Sequence, residues 1–305
     1  MGERDFLSIA DLAPGELKDL LDTADKAKAR PSSWSSKIKG NQVALIFEKP
    51  STRTRVSFEV AVTSMGGHAI ILRSDELQLG RGETVEDTGR VLTRYVDALV
   101  VRTFEQERLE KLASASNVPV INALSDRSHP CQALADMQTI REKKGGLEGL
   151  SLAYVGDGNN VAHSLLLAGS KLGMHVRVAT PAGYAPRSDI VLMSQQNAID
   201  SGGSVTITEV VAEAISGADV LYTDVWASMG QESESQARAE VFERFQLNSD
   251  AVDLADDEVI VMHCLPAHRG EEISRDVMDG PRSVVWDQAE NRLHTQKALL
   301  AWLLS

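Results

Sequence analysis

Only two cysteines, Cys131 and Cys264, occur in 305 residues, and they stand far apart. A disulfide framework is not indicated, and a reducing compartment is the simpler setting. No apolar run approaches the roughly 20 residues that span a bilayer. Residues 1–6 hold neither a signal-peptide core nor a basic, amphipathic presequence, so the expectation is a soluble, cytoplasmic protein. Positive charge is scarce: 31 Lys and Arg face 44 Asp and Glu, for a formal net charge of −13. Such a surface repels nucleic-acid backbones and anionic membranes, and neither is expected as a partner. It repels small anions too, so a phosphate site would need a local cluster of arginines.

Internal repeats and low-complexity tracts are also missing. What is present is alternation. Short β-rich runs at 43–47, 69–72, 98–101, 120–122, 152–155, 176–180, 205–208, 220–222, 259–262 and 283–286 are separated by helix-length segments such as 56–65, 131–143 and 162–172. This pattern predicts an α/β protein with parallel sheets flanked by helices. With 43% hydrophobic residues, the length suffices for two domains. The best boundary follows Gly146, within Lys143-Lys144-Gly145-Gly146-Leu147. The expected domains are 1–146 and 147–288. A last helix from Ala289 carries Leu293, Leu299, Leu300 and Leu303, too much apolar surface to leave in water, so it must dock.

In open α/β sheets, ligands bind beyond the carboxyl ends of strands. After the 43–47 run comes Ser51-Thr52-Arg53-Thr54-Arg55, opening a helix. Unpaired first-turn N–H groups, hydroxyl donors and planar guanidinium forks all suit phosphate. The same residues would also serve as an ordinary N-cap with two solvated arginines. The string is not a P-loop, since no Gly-x-x-x-x-Gly-Lys-Ser/Thr occurs. Arg102 closes the 98–101 run. His129-Pro130-Cys131-Gln132 opens the next helix, and His129 and Gln132, three apart, can project towards one point. Cys131 reads as packing.

The turn Gly156-Asp157-Gly158-Asn159-Asn160-Val161 half-resembles a dinucleotide fingerprint. Val161 takes the third glycine position, and Thr180 stands where an acidic residue would hold a ribose, so NAD is not expected. Asp224, at a strand end, can pair with a cationic amine. Cys264 follows another strand, in His263-Cys264-Leu265-Pro266. His263 and Cys264 are adjacent and should point to opposite faces of a strand, so no metal and no cofactor are expected.

These strings together resemble the aspartate and ornithine carbamoyltransferase family. Ser51-Thr52-Arg53-Thr54-Arg55 is similar to its carbamoyl-phosphate signature, and His129-Pro130-Cys131-Gln132-Ala133-Leu134-Ala135-Asp136 to its His-Pro-x-Gln-x-Leu-x-Asp motif. Asp224, Ser228, Met229 and Gly230 match the Asp-x-x-x-Ser-Met-Gly string of the ornithine-specific members, and residues 263–266 match His-Cys-Leu-Pro. The resemblance implies two α/β domains with the active site in the cleft between them. The first, with the helix 289–305 packed back on it, would bind carbamoyl phosphate, and the second L-ornithine. It implies that Ser51, Thr52, Arg53 and, from a neighbouring subunit, Gln78 hold the phosphate end, and that Arg292 contacts carbamoyl phosphate. It implies that Thr54, Arg102 and His129 contact the carbamoyl oxygen, and Gln132 and the Leu265 carbonyl the carbamoyl amide. Asn160, Asp224, Ser228 and Met229 would bind ornithine, with Cys264 beside its amines. The loop 267–273 would close over it. The activity implied is transfer of the carbamoyl group to the δ-amine, giving citrulline and phosphate, by a homotrimer or a multiple of trimers. A putrescine-specific enzyme and a non-catalytic carbamoyl-phosphate-binding protein are the alternatives.

Overall fold

The computed structural model describes residues 5–73, 82–227 and 235–304. The chain divides into two compact units, Met1–Gln138 with Glu290–Ser305, and Thr139–Ala289. It crosses from one to the other inside two helices.

The first unit opens with α1 (Pro14–Ala29), whose proline sits at the first helical turn. Leu17, Leu20, Leu21, Ala24 and Ala27 recur at helical spacing and are its buried face. Then β1 (Gln42–Phe47), α2 (Thr52–Ser64), β2 (His68–Arg73), α3 (Val85–Leu92), β3 (Ala98–Arg102), α4 (Gln106–Ala115) and β4 (Val120–Leu124) alternate, and α5 (Pro130–Lys144) leads out. The four strands are parallel, in the order β2-β1-β3-β4. Val43 to Phe47 and all of β3 are buried, as expected of parallel strands covered on both faces. Ala44, Ile46, Leu99, Val101, Leu109, Leu112 and Val120 form one core cluster. Burying each such Ile, Leu or Val contributes about 1.5–3 kcal/mol.

The second unit holds β5 (Ser151–Val155), α6 (Asn160–Lys171), β6 (His175–Ala179), α7 (Ser188–Ser201), β7 (Ser204–Thr208), α8 (Val211–Ile215), β8 (Val220–Thr223), α9 (Ser235–Phe242), α10 (Ser249–Asp253), β9 (Ile260–His263) and α11 (Arg275–Met278). Its sheet is also parallel, ordered β7-β6-β5-β8-β9. Val161 to Lys171 of α6 are all buried. Trp226, Phe242 and Phe245 anchor the core on one side of this sheet, with Trp226 stacked 6.0 Å from Phe242. Among the described residues, no helix is long and apolar enough to cross a membrane.

Two elements depart from the sequence reading. The tenth strand, expected at 283–286, is reduced to a single bridge between Ser283 and Val261, and α12 (Val285–Leu304) has already begun. Val284, Val285 and Trp286 suit a strand locally. The backbone turns into the helix at once, with Gln288 N–H donating to the Val284 carbonyl at 2.9 Å. Tertiary context has overridden β-propensity there. The helix expected from Val56 starts at Thr52, so Thr52, Arg53 and Thr54 form the first turn of α2.

Each sheet reverses its winding once. In the first unit β2 lies on one side of β1 and β3 on the other. In the second, β6 and β8 flank β5. Loops leaving adjacent strands in opposite directions open a crevice at the carboxyl edge. Among the described residues, the candidates follow β1, β3 and β4 in the first unit, where α12 adds Arg292, and β5, β8 and β9 in the second.

Candidate functional site

In the first unit, Ser51 caps α2, its Oγ accepting the Thr54 N–H at 3.2 Å. The remaining first-turn N–H groups belong to Thr52 and Arg53, both exposed. An exposed helix start with a positive dipole end is where an anion binds. Thr54 is buried. Its Oγ1 accepts from Arg292 Nη2 at 2.9 Å, while Arg292 Nη1 donates to Gln132 Oε1 at 2.9 Å. Gln132 Nε2 in turn donates to Asp136 Oδ1 at 2.8 Å. The last helix thus supplies a guanidinium that ties the start of α2 to the start of α5.

Arg102 ends β3, where the pairing with β4 shifts register between Val101 and Arg102. Its carbonyl accepts the Glu48 N–H at 2.9 Å, fixing it beside the loop that leaves β1. His129 stands just before α5 and its carbonyl accepts the N–H groups of Gln132 and Ala133. Burial, and then the charges of Arg292, Arg102 and Arg53, hold the imidazole well below its ordinary 6.5, so it is neutral at physiological pH. Arg53, Arg102, His129 and Arg292, all predicted from the sequence, thereby share one electrostatic neighbourhood. Lys49 Nζ is paired with Asp126 at 2.5 Å and lies over the Phe104 ring. Cys131 packs in the core. Burial pushes its thiol up to about 12, and its S–H points to the Asn122 carbonyl.

In the second unit, Asp224 follows β8 and is the hub. Its Oδ1 accepts from Cys264 Sγ at 2.8 Å and from the Val225 N–H at 2.8 Å, and its Oδ2 accepts from Asn159 Nδ2 at 2.9 Å. Asn159 caps α6, its Oδ1 accepting the Val161 and Ala162 N–H groups. Tyr154 adds a phenol 3.4 Å from the same oxygen. Burial, then the negative charges of Asp224 and Asp157, raise that phenol well above its ordinary value, so it stays a donor. Asn160 opens α6 and is half-buried. The Asn159 role was not assigned from sequence, although an Asn before a helix is a capping signal.

The glycine-rich turn is filled by its own chain. A Cβ on Gly158 would lie 2.3 Å from Pro186 N and 2.5 Å from the Tyr184 carbonyl oxygen. Asp157 is bound to Arg238 Nη1 at 2.9 Å, and the Arg238 guanidinium also reaches the Trp226 carbonyl and covers the Tyr184 ring. Nothing in the sequence marked Arg238.

The expectation that His263 and Cys264 diverge is overturned. β9 ends at His263, so strand alternation does not carry on to Cys264, and ligand-type atoms of Asp224, His263 and Cys264 lie within 4.8 Å of one another. The His263 Nδ1 lone pair is engaged by the Leu265 N–H at 2.8 Å. Gln78, Ser228 and Met229 lie outside the described residues.

Fold and site define an α/β enzyme with an arginine-lined anion cradle. The chain belongs to the aspartate/ornithine carbamoyltransferase family: residues 4–142 match its carbamoyl-P binding domain and residues 148–303 its Asp/Orn binding domain. An ornithine carbamoyltransferase of Parafrankia sp. (strain EAN1pec) is 58% identical, covering 100% of this chain and 97% of its own. The anabolic enzyme of Pyrococcus furiosus is 54% identical, over 99% of this chain and 96% of its own. The solved Pyrococcus furiosus ornithine carbamoyltransferase superposes with a TM-score of 0.95, covering 98% of this chain and 96% of that one.

Proposed function

We propose that this enzyme transfers the carbamoyl group of carbamoyl phosphate to the δ-amine of L-ornithine, giving L-citrulline and phosphate. The observation that carries the reading is the convergence of Arg292 on Thr54 and Gln132, with His129 and Arg102 beside them. Residues 1–146 with 289–305 hold carbamoyl phosphate. Ser51, Thr52 and Arg53 take the phosphate end, Thr54, Arg102 and His129 the carbamoyl oxygen, and Arg292 contacts carbamoyl phosphate. Gln132 and the Leu265 carbonyl take the carbamoyl NH2. Residues 147–288 hold ornithine through Asn160, Asp224, Ser228 and Met229.

The δ-amine has a free pKa near that of lysine, about 10.4, and must lose a proton before it attacks. Cys264 and Asp224, already hydrogen-bonded to each other, are the groups that would face the substrate's amines. Attack forms the C–N bond and places negative charge on the carbonyl oxygen. Donors set in advance around that oxygen stabilise the tetrahedral intermediate, each worth about 3–4 kcal/mol. As it collapses, the attacking nitrogen gives its extra proton to the departing phosphate, and the carbon–oxygen bond to phosphate breaks with the electron pair leaving on phosphate. His129 serves as a neutral hydrogen-bond donor, not as a charge.

The protein is further proposed to act in the cytoplasm in arginine biosynthesis, as a homotrimer or a multiple of trimers, with Gln78 reaching the phosphate of a neighbouring copy. Phosphate release with ornithine, aspartate, putrescine and N-acetylornithine as acceptors tests the assignment. Ornithine should be turned over fastest. Faster turnover of any other acceptor overturns it.

A further inference from the structure

Leu265 has a φ of 59°, in the left-handed region, and is the non-glycine residue in which the described backbone takes that conformation. A side chain with a Cβ adopts it only against steric resistance, so something must hold it there. The restraint is visible. The Leu265 N–H donates to Nδ1 of His263 at 2.8 Å, a side-chain-to-backbone bond two residues long. A nitrogen that accepts an N–H carries no proton itself, so the ring proton of His263 is on Nε2. Nε2 lies 3.0 Å from Glu272 Oε1, and both side chains are wholly buried. The same Oε1 accepts the His268 N–H at 2.6 Å. The His263 N–H is anchored as well, on Gln288 Oε1 at 3.0 Å, with Gln288 Nε2 on the Tyr222 hydroxyl at 3.0 Å.

We propose that His263 is a positioning residue: its Nδ1 holds the left-handed backbone of Leu265, and Glu272 fixes the tautomer that lets it do so. The conformation of Leu265 sets where its own carbonyl points and how the Cys264–Leu265 peptide lies. His263 thereby aims two groups of the reaction without touching substrate. Both ring nitrogens are engaged, so the ring offers no lone pair to the Cys264 thiol. The buried carboxylate of Glu272 is an acceptor for two donors and works through geometry. This inference rests on the proposed roles of Cys264 and Leu265 at the ornithine site.

Two substitutions separate the halves of the ring. In His263→Asn the side-chain carbonyl can accept the Leu265 N–H in the manner of an Asx-turn, while contact with Glu272 is lost. In His263→Gln the amide can reach Glu272 but offers Leu265 no acceptor. The KM for ornithine should rise about tenfold or more in His263→Gln and stay within about threefold in His263→Asn, with the KM for carbamoyl phosphate moving less than about twofold in either. Equal effects of the two variants, or a larger effect of His263→Asn, overturn the proposal. The intact wild-type protein supplies a second measurement that no misfolded variant can spoil. Histidine-selective 15N NMR should show one buried ring protonated on Nε2 only, and protonation of His263 on Nδ1 overturns it. Cys264→Ala is measured in parallel. If that variant leaves the ornithine KM unchanged, the site reading fails instead, and the ring spectrum still decides whether His263 holds Leu265.

Discussion

Arg292 and Thr54 stand 238 positions apart in sequence and meet through one hydrogen bond of 2.9 Å, guanidinium Nη2 to hydroxyl Oγ1. The second arm of the same guanidinium holds Gln132. A planar fork can do both at once, whereas an ammonium is a point charge on a flexible stem. Arg292→Lys should therefore lower kcat/KM for carbamoyl phosphate by about 10²-fold, some 2.7 kcal/mol, although the charge is kept. Steady-state kinetics check this, and wild-type values for the lysine variant would remove Arg292 from the site.

The depressed imidazole of His129 has two consequences. It should contribute no limb to the pH–rate profile between about pH 6 and 8, and His129→Gln, which keeps a donor, should lose much less activity than His129→Ala. The second consequence concerns stability. The folded pKa lies below the ordinary 6.5 of the unfolded chain, so the unfolded state binds the extra proton first. This contribution is present in full above about pH 6.5 and is lost as pH falls below it, by at most about 1.4 kcal/mol per pH unit. Urea unfolding at stepped pH should show a smaller loss in His129→Gln than in the wild type. An identical slope in both would contradict it.

Asp224 gathers Asn159, Cys264 and the Val225 N–H and is proposed to meet the amino-acid substrate. Asp224→Ala should weaken ornithine by about 10²-fold while leaving carbamoyl phosphate binding within about twofold in calorimetric titration. Loss of carbamoyl phosphate binding in that variant would speak against the division of labour.

The two thiols should differ sharply towards iodoacetamide. Cys131 is buried with its thiol pushed up to about 12, whereas Cys264 is partly exposed. Native protein should take up one alkyl group, on Cys264, with Cys131 reacting only after unfolding. Mass spectrometry of the alkylated peptides reads the outcome directly, and labelling of native Cys131 would contradict its placement.

Gly158 has no room for a methyl group, since Pro186 N would lie 2.3 Å from it. Backbone occupies the space, so the loop or the α6 N-terminus must move. Gly158→Ala should cost about 2 kcal/mol or more, seen as a lower unfolding temperature. An unchanged transition would mean that the 184–186 segment gives way freely.

Much of this protein is written locally. The apolar runs that became β1, β3, β5 and β8 are continuous in sequence, and the phosphate-type residues of the first turn of α2 are consecutive. A strand, a cap and two arginines need only neighbours within a few positions to declare themselves. The run at 283–286 shows the limit of such signals: β-branched residues read as a strand, yet a single bridge and a helix form instead.

The sequence by itself determined the alternation of strands and helices, the family, and the groups proposed to meet the substrates. Only the tertiary structure decided the protonation of His129, the closeness of Arg292 to Thr54, the crowding at Gly158 and the His263–Glu272 couple that holds Leu265. Each of these depends on groups brought together from distant positions, or on water being excluded from around a charge. Both are properties of the folded chain and leave no trace in the spacing of residues along it.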